Sequence, residues 1–265
     1  MLYICIPSYN EAPTVGLLLW KIRKTFQAFP REYEILVADD GSTDGTSEVL
    51  EPYAKTLPLT VLRHAERQGY ARSVEALLRV AVERTDRPKR DAAILMHADF
   101  AHSPEYLPEL VRRLESGADI VVTSATLQGE PRRAARLVRK YAKWLLRGIK
   151  VSSVEDIVSG FGAFRLVSLR NALRAQEGPL LTLDGWAATA ELIARVAREA
   201  RRIDTVDVVE RLDLHQRPSR IEPWPLAKSL WRDGGRLKIR GNRPSDTRKG
   251  PARGAEDPEL EEANR

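Results

Sequence analysis

One cysteine in 265 residues leaves no disulfide framework within a single chain. Cys5 lies in the apolar run LYICI, so it reads as an inert buried thiol, and a reducing setting is the expectation. No apolar stretch approaches the roughly 20 residues needed to span a bilayer. The opening MLYICIPSYNE also lacks the basic segment and long apolar core of a signal peptide, so the expected location is cytoplasmic. Neither a Walker lysine motif nor GxGxxG occurs, which removes the usual markers of ATP hydrolysis and dinucleotide binding. RNP-like aromatic pairs and zinc-ligand spacings are missing too, and no nucleic-acid partner is expected from charge alone. Negative charge is in deficit: 43 Lys and Arg against 37 Asp and Glu give a formal +6, which favours anionic company.

What is present alternates between strand and helix patterns. Residues 2–6 form a short run that is apolar on both faces, as in a strand buried within a parallel sheet, and Pro7 ends it. Val15, Leu18, Leu19 and Ile22 then recur at helical spacing behind Pro13. Residues 33–38, 59–62, 92–96 and 119–123 read as further strands, with helices over 70–82 and 107–114 between them. This rhythm predicts an α/β fold with a mainly parallel central sheet flanked by helices. Later helices are expected at 167–173, 186–200 and 222–232, with a last strand at 203–209.

Two segments change character. PRRAARLVRKYAKWLLRGIK, residues 131–150, and the stretch 223–240 are rich in Arg and Lys and carry Trp144, Trp224 and Trp231. Basic residues with Trp at an apolar boundary suit an anionic membrane surface, and the same pattern also describes a solvated helix face. From residue 241 the chain is Pro, Gly and charge with little to bury, which predicts a disordered tail. The expected organisation is one domain over residues 1–220, a basic Trp-bearing interfacial segment over 221–240, and the tail over 241–265.

The hydrophobicity of the fourth strand stops at His97, Ala98 and Asp99. Ligands of open α/β sheets bind beyond the carboxyl ends of the strands, so an acid there is placed for a metal or a ligand hydroxyl. On an extended chain His97 and Asp99 would share a side. Asp99 is equally suited to cap the helix that Ser103 and Pro104 open. PSYNE follows the first strand and DDGSTDGT the second, so the three loops open on one edge and a shared site is the economical reading. Asp39 and Asp40 offer carboxylates to a ribose or base, while Gly41, Ser42 and Thr43 are also ordinary turn and cap chemistry.

In their order and spacing, PSYNEA, VADDGSTDGT, HADFAHSPEYLPEL and DIVSGFGAFR resemble the motifs of family 2 glycosyltransferases. The resemblance implies the GT-A fold, a Rossmann-like nucleotide-diphospho-sugar transferase fold, over residues 1–220. The last motif, with Asp156, Ser159, Gly160, Phe161 and Arg165, is similar to the dolichol-phosphate or polyprenol-phosphate mannosyltransferase branch. By that resemblance Pro7, Tyr9 and Glu11 match a nucleotide-contacting loop, Asp40 an acid near the ribose or base, and Ala98 the donor-binding motif. Asp99 matches the last acid of D-x-D, which holds a divalent metal on the donor diphosphate. Glu191 matches an acid on the acceptor side, and would serve equally as a solvated helix acid. Arg217, Ser219 and Arg220 in HQRPSR match a phosphate-contacting segment loosely.

Three positions depart from that pattern. His97 stands where the family has the first acid of D-x-D, Ala101 where a polar residue is frequent, and Ala125 where an Arg is frequent. An imidazole at 97 favours Mn²⁺ over Mg²⁺, which prefers oxygen ligands. The activity implied is inverting transfer of a sugar from a GDP- or UDP-sugar donor to a polyprenyl-phosphate or glycan acceptor. A hydroxyl acceptor would need a base, for which Asp156 and Glu191 are the candidates; a lipid phosphate arrives already ionised. A lipid acceptor also implies a peripheral position at the cytoplasmic face of a membrane. The alternative is a non-catalytic or altered-metal relative that binds a nucleotide sugar.

Overall fold

The computed structural model describes residues 1–128, 133–151, 154–211, 222–241 and 249–250. The chain begins with β1 (Leu2–Ser8), α1 (Ala12–Ala28), β2 (Tyr33–Asp39), α2 (Thr46–Ala54), β3 (Leu59–Arg63) and α3 (Tyr70–Arg84). It continues through β4 (Ala92–Leu95), a 3₁₀ turn (Pro104–Tyr106), α4 (Leu107–Glu115), β5 (Ile120–Gln128), α5 (Arg133–Leu145) and β6 (Ile149–Lys150). It ends with β7 (Gly162–Arg165), α6 (Leu166–Arg174), α7 (Gly185–Ala197), β8 (Ile203–Arg211), α8 (Pro223–Arg236), β9 (Ile239–Arg240) and β10 (Lys249–Gly250).

Eight strands form one sheet in the order β10-β8-β5-β7-β4-β1-β2-β3. All pairings are parallel except those of β7, which runs antiparallel between β4 and β5. Alternation along each strand sends side chains to opposite faces. Leu2, Ile4 and Ile6 of β1 join a core with α1 and α4, whereas Tyr3 and Cys5 join a core with α3, α6 and α7. Each fully buried Leu or Ile in these layers contributes about 1.5–3 kcal/mol, which is why strands apolar on both faces are stable only here.

The expected α/β rhythm is present, with four differences. β1 does not end at Pro7 but runs through it to Ser8, with Pro7 in register with Ala38 of β2. SGFGAFR supplies β7, a strand too short and glycine-rich for periodicity to reveal. At Gly162 an added Cβ would crowd the carbonyl oxygen of Val121, so glycine permits the close approach to β5. β5 runs to Gln128 rather than 123, because β8 also extends and pairs with it over nine residues. In the expected tail, Lys249–Gly250 pair with β8; the other residues beyond 241 lie outside the described ones.

The Trp-bearing helix α8 packs on α5 and α7, and β9 pairs with β6. Gly148 donates its N–H to Gly234 O at 3.0 Å and its carbonyl accepts from Ile239 N–H at 2.8 Å. A Cβ at 148 would overlap the carbonyl oxygens of Leu237 and Gly234. Among the described residues, no helix is long and apolar enough to cross a membrane. Gly148→Ala is expected to lower unfolding free energy by about 1–3 kcal/mol, the usual cost of overpacking. Urea titration measures it, and an unchanged midpoint would contradict this close contact.

Candidate active site

The loops after β1 and β2 are built as one unit. Asn10 N–H donates to Ser42 Oγ at 2.9 Å, and Thr43 N–H returns a bond to Asn10 Oδ1 at 2.8 Å. Glu11 N–H donates to Thr46 Oγ1 at 2.8 Å. The Glu11 carboxylate is buried and accepts from Thr14 Oγ1 at 2.9 Å, inside the first turn of α1. Asp39 accepts from Ser42 N–H and Ser47 Oγ, so it holds the turn itself. Pro7 and Ala98 are buried and offer backbone rather than side chains. Tyr9 lies under the Arg67 guanidinium, 4.3 Å from its ring centre.

Asp40 faces the loop that leads into α3. Its Oδ1 accepts from Gln68 N–H and meets His64 Nδ1, both at 2.8 Å, and its Oδ2 accepts from Gly69 N–H at 2.9 Å. Burial pushes its carboxyl pKa up, but the His64 bond and the two backbone N–H groups outweigh burial and hold it below its ordinary value. Asp184 adds a second carboxylate at the start of α3, accepting from Ala71 N–H at 3.0 Å. Two anions at the positive end of a helix are favourably placed.

Beyond β4 the chain does not stay extended. Phe100 takes φ +64°, an uncommon conformation for a large side chain and a local strain. The shared side expected for His97 and Asp99 from strand geometry therefore does not apply. Ser103, not Asp99, caps the following turn, its Oγ accepting from Glu105 N–H. Asp99 Oδ1 instead accepts from Ala101 N–H at 3.0 Å. The His97 ring stacks on Tyr70 at 5.6 Å, with its Nε2 against Gly160, where any Cβ would overlap it. Burial pushes the Tyr70 hydroxyl up to about 12, opposed by its contact with Thr189 and assisted by Asp184 and Asp99. Tyr70 thus joins the α3 and His97–Asp99 loops.

A cavity of about 270 Å³ opens between α5, the end of β5 and residues 155–158. Asp156 lines it but is tightly held. Its Oδ1 accepts from Val158 and Ser159 N–H, both at 3.1 Å, and its Oδ2 from Arg139 Nη2 at 2.8 Å and Nε at 3.2 Å. Arg139 also pairs with Glu210 on β8. Burial draws the Arg139 pKa down, but Asp156 and Glu210 outweigh it and raise it, so the guanidinium stays charged. Arg136, Lys140 and Lys143 complete the basic wall.

Glu191 is not the solvated acid that helix position suggested. It is fully buried, accepting from Thr182 N–H at 2.8 Å, Thr182 Oγ1 and Leu183 N–H at 2.9 Å, and Arg195 at 2.7 Å. It anchors the 182–183 loop and is not part of the cavity wall. Arg217, Ser219 and Arg220 lie outside the described residues. Sequence reasoning missed His64, Tyr70 and Arg139. His64 lies four residues before Gln68 and Tyr70 opens α3; no short-range pattern announces the tie of His64, Gln68 and Gly69 to Asp40, and Arg139 was hidden among many similar cations.

Acidic loops gathered at the carboxyl edge of a mainly parallel sheet are the GT-A arrangement, and solved structures agree. Glucosyl-3-phosphoglycerate synthase from Mycobacterium tuberculosis superposes with a TM-score of 0.60 at 18% identity, covering 89% of this chain and 80% of that one. S. aureus TarS, residues 1–349, gives 0.54 at 15% identity over 88% of this chain and 70% of its own. The family model for glycosyl transferase family 2 matches residues 3–172, and the chain belongs to that family. An undecaprenyl-phosphate mannosyltransferase of Micrococcus luteus is 30% identical over 216 residues, 78% of this chain and 82% of the relative. A dolichol-phosphate mannosyltransferase of Pyrococcus furiosus is 30% identical over 168 residues, 61% of this chain but 45% of the relative. The chain thus spans less than half the length of the Pyrococcus protein.

The lowered Asp40 pKa has a measurable consequence. A depressed carboxyl stabilises the fold above its unfolded-state value, and that contribution is lost as pH falls through the folded value. Asp40→Asn is therefore expected to flatten the acid limb of the stability–pH curve below the ordinary carboxylate range. A curve that stays parallel to wild type throughout the acid range would contradict this.

Proposed function

We propose that this protein is an inverting glycosyltransferase that moves a hexose from a GDP- or UDP-sugar to a polyprenyl phosphate. What carries this reading is the state of its two candidate bases. Asp156 has both oxygens engaged by N–H donors and Arg139, and Glu191 is sealed inside α7 and its loop. A general base needs a lone pair within reach of the proton it removes. With neither carboxylate open, the acceptor oxygen must arrive already ionised, as a phosphate does near neutral pH. The relatives named for undecaprenyl- and dolichol-phosphate support the same acceptor class. In the reaction a phosphate oxygen bonds to the anomeric carbon from the face opposite the nucleoside diphosphate, which departs with the electrons of the broken C–O bond.

This chain's residues would divide the work as follows. The unit of loops 8–12 and 39–46 cradles the nucleotide, with Tyr9 and Arg67 at its rim and Asp40 holding the 64–69 loop in place. Asp99 supplies the carboxylate for a divalent cation. Among the described residues no three His, Cys, Asp or Glu gather as a cation site. One carboxylate fits an ion that takes most of its six ligands from the donor diphosphate and water. Such an ion would stabilise the charge growing on the leaving diphosphate. A solved structure of the same fold holds Mn²⁺ with UDP, which supports Mn²⁺ as the ion. Arg136, Lys140 and Lys143 at the cavity take the place of the family's Arg near Ala125 and would receive the acceptor phosphate.

A lipid acceptor requires a bilayer surface. Leu137, Tyr141 and Trp144 on α5 and Trp224 and Trp231 on α8 are exposed, while Val138, Ala142 and Leu146 form the buried stripe. The Trp144 and Trp231 rings meet at 5.1 Å, and Arg147 lies 3.8 Å over Trp231. Aromatic rings beside cations suit an anionic interface, each cation adding about 1 kcal/mol at most.

A donor screen followed by transfer to polyprenyl phosphate and to the free polyprenol tests the acceptor class. Transfer to the phosphate at least a hundredfold above the alcohol is expected, and equal rates would refute it. Asp99→Ala should lower that transfer at least about a hundredfold, in line with losing a main electrostatic contact. In flotation assays, vesicles containing anionic lipid should bind the protein and neutral vesicles should not; equal binding to both would contradict the surface assignment.

A further inference from the structure

Resting on the glycosyltransferase reading above, we infer that Trp186 is the platform on which the transferred hexose lies, its ring meeting the apolar face of the sugar. Donor and acceptor come together at the sugar, so a residue that touches it has neighbours from both sides. Trp186 has them. Asp184, two residues before it, accepts from Ala71 N–H at 3.0 Å at the start of α3, beside the Gln68 and Gly69 N–H groups that Asp40 holds. Thr189, one turn along α7, meets the Tyr70 hydroxyl at 3.4 Å, and the Tyr70 ring stacks on His97 of the donor motif. From the other side the Arg139 guanidinium, paired with Asp156 of the cavity wall, lies 5.9 Å over the Trp186 ring.

Burial along α7 singles this residue out. From Ala187 to Ala197 every residue is buried except Arg195, whereas Trp186 at the helix start is half-buried. Gly185 before it takes φ +54°, and an added Cβ there would meet nothing within 4 Å, so the chain opens to free space beside the indole. Nor does Arg139 close the ring face. The guanidinium groups that stack tightly in this protein lie at 3.8 Å, Arg147 over Trp231, and at 4.3 Å, Arg67 over Tyr9. Arg139 stands farther out, engaged by Asp156 and Glu210. A pyranose suits such a place: the C–H groups of one ring face carry partial positive charge and meet the negative face of an indole. The competing role, packing on the core beneath α7, needs only apolar volume.

The test separates the sugar from the nucleotide that carries it. Calorimetric titration of the full chain with Mn²⁺ compares UDP-glucose and UDP-galactose with UDP, and GDP-mannose with GDP. For the nucleotide sugar that wild type binds, Trp186→Leu is expected to weaken affinity at least about fivefold while changing that of the matching nucleoside diphosphate less than about twofold. Trp186→Phe, which keeps an aromatic face, should recover most of that loss. If Trp186→Leu fails to fold, tryptophan fluorescence reads the same contact: the nucleotide sugar should change wild-type emission beyond what the diphosphate does, and Trp186→Phe should abolish the excess. Sugar nucleotide and diphosphate weakening together, neither weakening, Phe no better than Leu, or an emission excess that is missing in wild type or persists in Trp186→Phe would each overturn the inference. Wild-type protein that binds none of the three nucleotide sugars would instead overturn the functional reading on which it rests.

Discussion

The ion pair between Arg139 and Asp156 is the contact on which the site's geometry depends. Asp156 spends one oxygen on the guanidinium and the other on the N–H groups of Val158 and Ser159. That fixes the turn before β7, where Ser159 Oγ meets Thr123 Oγ1 at 2.6 Å and Thr123 Oγ1 donates to Phe161 O at 2.7 Å. Gly160, held in that turn, leaves the space that His97 fills. A buried pair broken on one side is strongly destabilising, about 3–5 kcal/mol, because it strands a charge. The turn beside His97 and the basic helix α5 are therefore tied together by one electrostatic contact between distant parts of the chain.

Much of the frame could be read in the sequence. The strands at Leu2–Ser8, Tyr33–Asp39 and Ala92–Leu95 are short apolar runs buried on both faces, and such runs have few other solutions. PSYNEA and DDGSTDGT were legible as loops on one edge because each directly follows such a strand. Their hydrogen bonds to each other, such as Thr43 N–H to Asn10 Oδ1, were not, since pairing across 33 residues leaves no periodic trace. β7 escaped for the opposite reason: four residues with a leading glycine carry too little alternation.

At the site, local pattern assigned residue types better than roles. Asp99 had two readings, and Ser103 taking the cap removed one of them. Glu191 lies at a position where a helix acid is ordinarily solvated, yet the 180–183 segment folds over it and Arg195 pairs with it. Asp156 is a candidate base for a hydroxyl acceptor, and the cation that engages its carboxylate comes from a helix whose sequence reads only as basic. The departures at His97 and Ala125 make physical sense in the folded chain. His97 is a stacked ring between Tyr70 and Gly160, and the cations near Ala125 come from α5.

In the proposed reaction the nucleophile brings its own charge. The most direct measurement is the pH dependence of kcat/KM with polyprenyl phosphate and with the matching phosphonate, whose second ionisation is weaker. If no protein carboxylate serves as base, the acid limb follows the acceptor, falling at about pH 6 for the phosphate and moving upward for the phosphonate. A limb that stays in place when the acceptor is changed would belong to an enzyme group and would contradict the account.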